Sequence, residues 1–330
     1  MTAIGSNLES VEPAEQRIEL EAAKARCEAF ARDLTAWMRH DEPESVYWID
    51  VKFKPSRRVV LARSPLDLGP MLRHDLFDRV PSCILTSASL AVGSPPSFDF
   101  SASRLGLGSE FPTLHLGSPF DFQRQVTLYI AQGLPDPSSE PKAFEQVMIS
   151  AIPQFVRKTQ GKSLVLFTSH QTMGAATRSL EPWFQKEGIT LLSQSSGKPR
   201  NTLLELFRSD INSVLFGTES FWQGVDVPGE APSSVIITKL PFDPPTHPLL
   251  EARLEEITRR GGNRFRDYQV PEAILKFKQG VGRLVRSRTD HGIIVILDPR
   301  VLTKNYGQDF LLSIPACRTV LEKIDLELST

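Results

Sequence analysis

The chain holds 330 residues, 40% hydrophobic and 23% charged, enough for one large or two ordinary domains with a sizeable core. Its 38 Lys and Arg against 39 Asp and Glu leave a net charge of -1, which excludes a global electrostatic pull toward nucleic acid. Three scattered cysteines, Cys27, Cys83 and Cys317, exclude a disulfide framework and a C-x-x-C zinc or iron–sulfur site. The opening stretch MTAIGSNLESVEPAEQ lacks a basic-then-apolar leader, and no apolar run is long enough to span a bilayer. A cytoplasmic protein with reduced thiols and no membrane partner is therefore expected. Charge is uneven along the chain. Residues 1–50 carry 5 Lys/Arg against 11 Asp/Glu, a net of -6, whereas 253–288 carry 10 against 4, a net of +6. A basic block on a neutral chain points to a local anionic partner such as phosphate.

Taken in order, residues 13–39 predict one long helix: Pro13 starts it, and Ile18, Ala22, Ala25, Ala29, Leu34 and Trp37 recur at helical spacing. VYWIDV (46–51) and RVVLA (58–62) read as short strands across a polar turn, followed by a helix over 66–77 and an apolar strand SCILTSASL (82–90). From 91 to 141 the composition is that of loops, around a modest strand near 126–130. Strands over 163–169, 189–193, 213–217, 234–240 and 292–298 then alternate with helices over 142–158, 170–186, 198–208, 246–260 and 271–286. A last helix is expected near 317–325. Near-continuous apolar strands between amphipathic helices predict an α/β fold, a parallel sheet covered on both faces. In such sheets ligands gather at the carboxyl ends of the strands. The loops there are long and polar: TSH after 167, SQSSGK after 192, GTESFWQGVDVPGE after 216 and PFDPPTHP after 240.

The stretch PEAILKFKQGVGRLVRSR (271–288) carries the clearest chemistry. Ala273, Ile274, Phe277, Val281, Leu284 and Val285 describe one buried helix face. At roughly 100° per residue, Gln279, Arg283 and Arg286 fall within about 60° of one another on the other side. Gly280 and Gly282 flank that stripe, each at about 1 kcal/mol relative to alanine, which implies close approach by a bulky, electron-rich group. In 217–230, Gly217, Gly224 and Gly229 permit tight turns. Asp226 suits a sugar hydroxyl or a turn cap, and Trp222 suits stacking or plugging the loop. Thr168, Ser169 and His170, where a strand meets a helix, suit a phosphate or ordinary capping. Two decoys fall away. Gly161-Lys162-Ser163 lacks a glycine at Val156 and precedes a strand, and the acidic run Asp41–Glu44 follows no apolar strand. No metal-ligand spacing and no serine or cysteine triad is legible.

QGVGRLVRS (279–287) resembles the last motif, Q-x-x-G-R-x-x-R, of superfamily 2 DNA helicases of the XPD/DinG type. LVLFTSHQTM (164–173), VLFGTESFWQGVDVPGE (214–230) and SVIITKLPFDPPTHPL (234–249) resemble that family's second-domain motifs in the same order. CILTSASL (83–90) is similar to the T-S-A-T-L that closes its first motor domain, with Ser89 in place of threonine. The resemblance implies a RecA-like fold and 5′→3′ translocation on single-stranded DNA in repair or replication. It assigns Gln279, Arg283 and Arg286 to the γ-phosphate of ATP, with Gly224, Asp226 and Gly282 at the nucleotide. Thr168, Ser169, Thr218 and Trp222 would line the DNA path. It also implies an organisation: 1–40 a helix from an arch-like insertion, 41–95 the carboxyl-terminal remnant of a first motor domain, 96–141 a linker and lead-in strand, and 142–330 the second motor domain. Both ATP-cradling motifs and the family's four iron–sulfur cysteines are missing from the sequence. ATP and magnesium are thus expected to be held mainly by a first motor domain outside this chain, which alone would not hydrolyse ATP. The alternatives are a non-catalytic module that binds single-stranded DNA or a partner ATPase, and a decayed fragment without function.

Overall fold

The computed structural model describes residues 14–53, 58–108, 111–222, 233–244, 246–285 and 287–325, and these form two compact units. One comprises residues up to 76 together with 244–262. In it, helix α1 (Ala14–Arg39) precedes an antiparallel hairpin of β1 (Ser45–Lys52) and β2 (Arg58–Pro65), paired from Ser45↔Pro65 to Lys52↔Arg58. The Trp37 indole N–H donates to the Ala62 carbonyl at 3.0 Å, fixing the end of α1 on β2. Trp48 packs edge-on against His247, which precedes the helix Pro248–Arg259.

The other unit spans 77–243 and 263–330. Its seven strands are β3 (Val126–Gln132), β4 (Ser163–Leu166), β5 (Thr190–Ser193), β6 (Ser213–Gly217), β7 (Ser234–Ile237), β8 (Gly292–Ile296) and β9 (Arg318–Lys323). They lie in the order β5-β6-β4-β7-β8-β3-β9, every pairing parallel. The period of two along each strand sorts side chains onto two faces. Leu164, Leu166, Leu215, Val235, Ile237 and Ile294 meet α4 (Arg200–Ser209) and α5 (Val270–Val281) through Leu203, Phe207, Ile274 and Phe277. Val165, Val214, Phe216, Ile236 and Val295 meet α2 (Pro141–Thr159) and α3 (His170–Lys186) through Ile152, Phe155, Met173 and Phe184. The expected sheet with helices on both faces is therefore present.

Three local expectations are corrected. The tail over 317–325 is strand β9, not a helix: Thr319 and Val320 favour the extended backbone, and β3 offers an open edge for parallel pairing. SCILTSASL is not a strand. No strand among the described residues lies beside it, and Ile84 stays 86% exposed. Helix α5 stops at Val281, short of Arg283. Among the described residues, no helix is long and apolar enough to cross a membrane, and no cluster of His, Cys, Asp or Glu could hold a metal ion.

Candidate nucleotide and nucleic-acid site

Helix α5 buries Ala273, Ile274, Phe277 and Val281, as its spacing requires, with Pro271 in its first turn. Its end tightens. The Gly282 N–H donates to the Lys278 carbonyl at 2.9 Å, but those of Arg283 and Leu284 reach back only three residues, to Gly280 and Val281. Gln279 thus sits in the last helical turn and Arg283 in the turn beyond it. Arg286 lies outside the described residues, as do Gly224 and Asp226.

Gly280 answers to the protein's own packing. A Cβ on Gly280 would lie 2.9 Å from the Trp222 ring and 3.0 Å from Leu166, so the helix is bare there to admit the indole. Gly282 is exposed, and a Cβ there would meet only backbone carbonyls of its own turn, Lys278 at 3.2 Å and Gln279 at 3.8 Å. Trp222 is 3% exposed, and its N–H donates to the Phe167 carbonyl at 3.1 Å. Its ring plugs the loop and presents no open face for stacking. Arg283 is half-buried, and its Nη2 donates to the Trp222 carbonyl at 3.1 Å. Gln279 Nε2 reaches Ser89 Oγ at 3.4 Å, while its Oε1 is buried with no donor in reach among the described residues. A buried acceptor left unpaired costs about 1–3 kcal/mol. The neighbouring Lys278 Nζ donates to the Ala91 carbonyl at 2.9 Å, and burial pushes its pKa down. The end of α5 therefore grips the chain at Ser89, within T-S-A-S-L, and at Ala91 just after it.

Because the sheet is wholly parallel, the loops after β4, β5, β6, β7 and β8 share one edge. After β4, Thr168 is exposed and Ser169 caps α3, its Oγ accepting from the Gln171 and Thr172 N–H groups at 3.2 and 3.4 Å. After β6, Thr218 is buried, and its Oγ1 lies 3.2 Å from His170 Nε2. After β5, Gln194 Oε1 accepts from both the N–H and the hydroxyl of Thr218 at 2.9 Å, and its Nε2 donates to Ser220 Oγ at 3.1 Å. After β7, the Leu240 N–H donates to Asp298 Oδ2 at 2.8 Å. Asp298, fully buried after β8, is bridged by the Arg300 guanidinium, with Nη2–Oδ2 at 2.7 Å and Nε–Oδ1 at 3.0 Å. Burial alone would lower the Arg300 pKa, but the Asp298 carboxylate reverses that and raises it. Lys239, beside them, is pushed down by burial and by the Arg300 charge.

Thr168, Ser169, Thr218 and Trp222 thus converge on one edge with Gln279 and Arg283. Gln194, Lys276 and the Asp298–Arg300 pair belong to the same edge and escape sequence reasoning. The signal for Gln194 and Asp298 is an acidic or amide residue directly after an apolar strand, as in SQSS and ILDPR; Lys276, inside α5, carries none.

The wholly parallel sheet with helices on both faces defines the class, a RecA-like α/β domain. The chain belongs to the helicase C-terminal domain family, whose model matches residues 152–317. It is 37% identical over 302 residues to the 3′-5′ exonuclease DinG of Bacillus subtilis (strain 168), which covers 87% of this chain and 31% of that relative. It is 36% identical over 296 residues to the ATP-dependent DNA helicase YoaA of Escherichia coli (strain K12), covering 90% and 45%. The ATP-dependent helicase DinG of Mycobacterium tuberculosis (strain H37Rv) is 35% identical over 286 residues, covering 86% and 40%. The chain spans less than half the length of these curated relatives. The solved structure XPD_APO aligns with a TM-score of 0.62 over 94% of this chain and 63% of its own at 14% identity, a likeness of fold. The family and the XPD-like fold agree with the motif resemblance: the chain corresponds to the carboxyl-terminal part of XPD/DinG-type helicases.

Proposed function

We propose that this chain is the second motor domain of an ATP-dependent 5′→3′ DNA helicase acting in repair or replication in the cytoplasm. In this reading it supplies arginine fingers to ATP and magnesium held by a first motor domain, and part of the groove for single-stranded DNA. The observation that carries the reading is the juxtaposition of Gln279, with a buried acceptor to spare, and Arg283 at the carboxyl edge of the sheet. Such a pair fits the triphosphate end of a nucleotide: the amide orients, and the guanidinium neutralises charge that develops on the transferred phosphoryl oxygens. Arg286, Gly224, Asp226 and Gly282 complete the nucleotide contacts. Thr168 and Ser169 line the strand path, where contacts to the backbone dominate, and Thr218, buried and held by Gln194, supports that edge. Trp222 acts there as a spacer, holding the loop after β6 rather than stacking on a base. Magnesium and ATP supply the phosphoryl chemistry when bound; the residues of this chain position and stabilise it. Residues 1–40 and 41–95 are the arch-like and first-domain portions in this scheme, and 96–141 lead into the second domain.

The purified 330-residue chain is expected to bind oligo(dT) with a steep salt dependence and to show no DNA-stimulated ATP hydrolysis, because the sequence offers no lysine loop for the β- and γ-phosphates. Turnover by the chain alone overturns the division of labour. DNA binding indifferent to nucleotide in the complete enzyme favours a non-catalytic module instead.

A further inference from the structure

We propose that Lys276 is a positioning residue: it locks the loops after β6 and β7 onto α5, so that the turn Glu219–Trp222 and Arg283 move as one body. The proposal rests on the finger role given to Arg283 above and adds how that group is aimed. Residues 276 and 280 are four apart on α5, which places them on one side of the helix, and Arg283 lies in the tightened turn just beyond its end. At 276, the lysine side chain is 10% exposed, and its Nζ contacts both Asp243 carboxylate oxygens at 2.6 Å and lies 3.6 Å from Glu219 Oε1. At 280, the missing side chain admits the Trp222 ring. At 283, the guanidinium donates to the Trp222 carbonyl. The turn Glu219–Trp222 is thereby held at its first side chain, its ring and its last carbonyl.

The same ammonium reaches the other loop. Asp243 follows Leu240, whose N–H is tied to Asp298, so Lys276 joins the ends of β6, β7 and β8 to one helix. Burial alone would lower the Lys276 pKa, but Asp243 and then Glu219 reverse this and raise it, so the lysine stays charged at neutral pH. Helix α5 is then the rigid beam, and a shift in the turn Glu219–Trp222 is transmitted to Arg283 through the Trp222 carbonyl.

Amide hydrogen exchange on the 330-residue chain tests the lock. Lys276→Met should speed exchange at Thr218–Trp222 by about tenfold while the strands stay protected, and Lys276→Arg should restore the wild-type rate. Unchanged exchange in a folded Lys276→Met chain overturns the lock. Should that variant fail to fold by circular dichroism, Asp243→Asn is judged by the same criterion. In the complete enzyme, Lys276→Met should lower kcat by about a hundredfold with KM for ATP unchanged, because aim and not binding is lost. A raised KM at constant kcat overturns the positioning role. The two proposals separate cleanly. If Arg283→Ala is silent while Lys276→Met loosens the turn, the finger role fails and the lock is supported. If Arg283→Ala abolishes turnover while Lys276→Met changes neither exchange nor kcat, the lock fails alone.

Discussion

Replacing Arg283 by alanine in the complete enzyme should reduce ATP hydrolysis by about 10³–10⁵-fold and leave nucleotide affinity within about tenfold of wild type. The asymmetry follows from where the guanidinium acts. A finger meets charge that grows on the phosphoryl oxygens only as the bond breaks, so its loss falls on the transition state. Lysine at 283 should recover little, since a single ammonium lacks the planar fork that spans two oxygens. Steady-state turnover together with fluorescent-nucleotide binding separates the two terms. Wild-type turnover in Arg283→Ala would refute the role.

The largest stability effect is expected at Asp298. Its carboxylate has no exposed surface and accepts from the Leu240 N–H, the Arg300 N–H and the Arg300 guanidinium. Asp298→Ala leaves the guanidinium buried without its counter-charge and the Leu240 amide without its acceptor, at a cost of about 3–5 kcal/mol. Asp298→Asn keeps the shape but loses the charge, and should fall between that and wild type. The measurement is urea unfolding of each variant, and a loss under about 1 kcal/mol for Asp298→Ala would show that the pair does not hold the loop. Because Leu240 begins the loop that reaches Asp243, the alanine variant should also weaken the grip of Lys276.

Much of the fold was legible because burial writes itself into periodicity. Strands buried on both faces read as apolar runs, and the spacing of Ile274, Phe277 and Val281 marks the core face of α5 in the sequence itself. Errors arose where the deciding partner lay far away in sequence. The tail over 318–323 becomes a strand only because β3 has a free edge, and 82–90 fails to become one because no described strand lies alongside. The candidate site was legible as types and order: Gln279, Arg283, Thr168 and Thr218 do share one edge. The purpose of Gly280 was not legible, because the bulky group it admits is Trp222, 58 positions earlier in the sequence. The helix also ends before Arg283, so the arginine is aimed by the Trp222 carbonyl and not by helical phase. Lys276 and Asp298 were missed for the same reason: each matters through partners from distant loops.

The most direct measurement is a crystal structure of the complete enzyme bound to ADP and a planar mimic of the transferring γ-phosphate. The account predicts that the Arg283 guanidinium, still anchored on the Trp222 carbonyl, hydrogen-bonds the mimic through its remaining N–H groups, with Gln279 beside it. A mimic fully coordinated by other groups, with no hydrogen bond from Arg283, would contradict it.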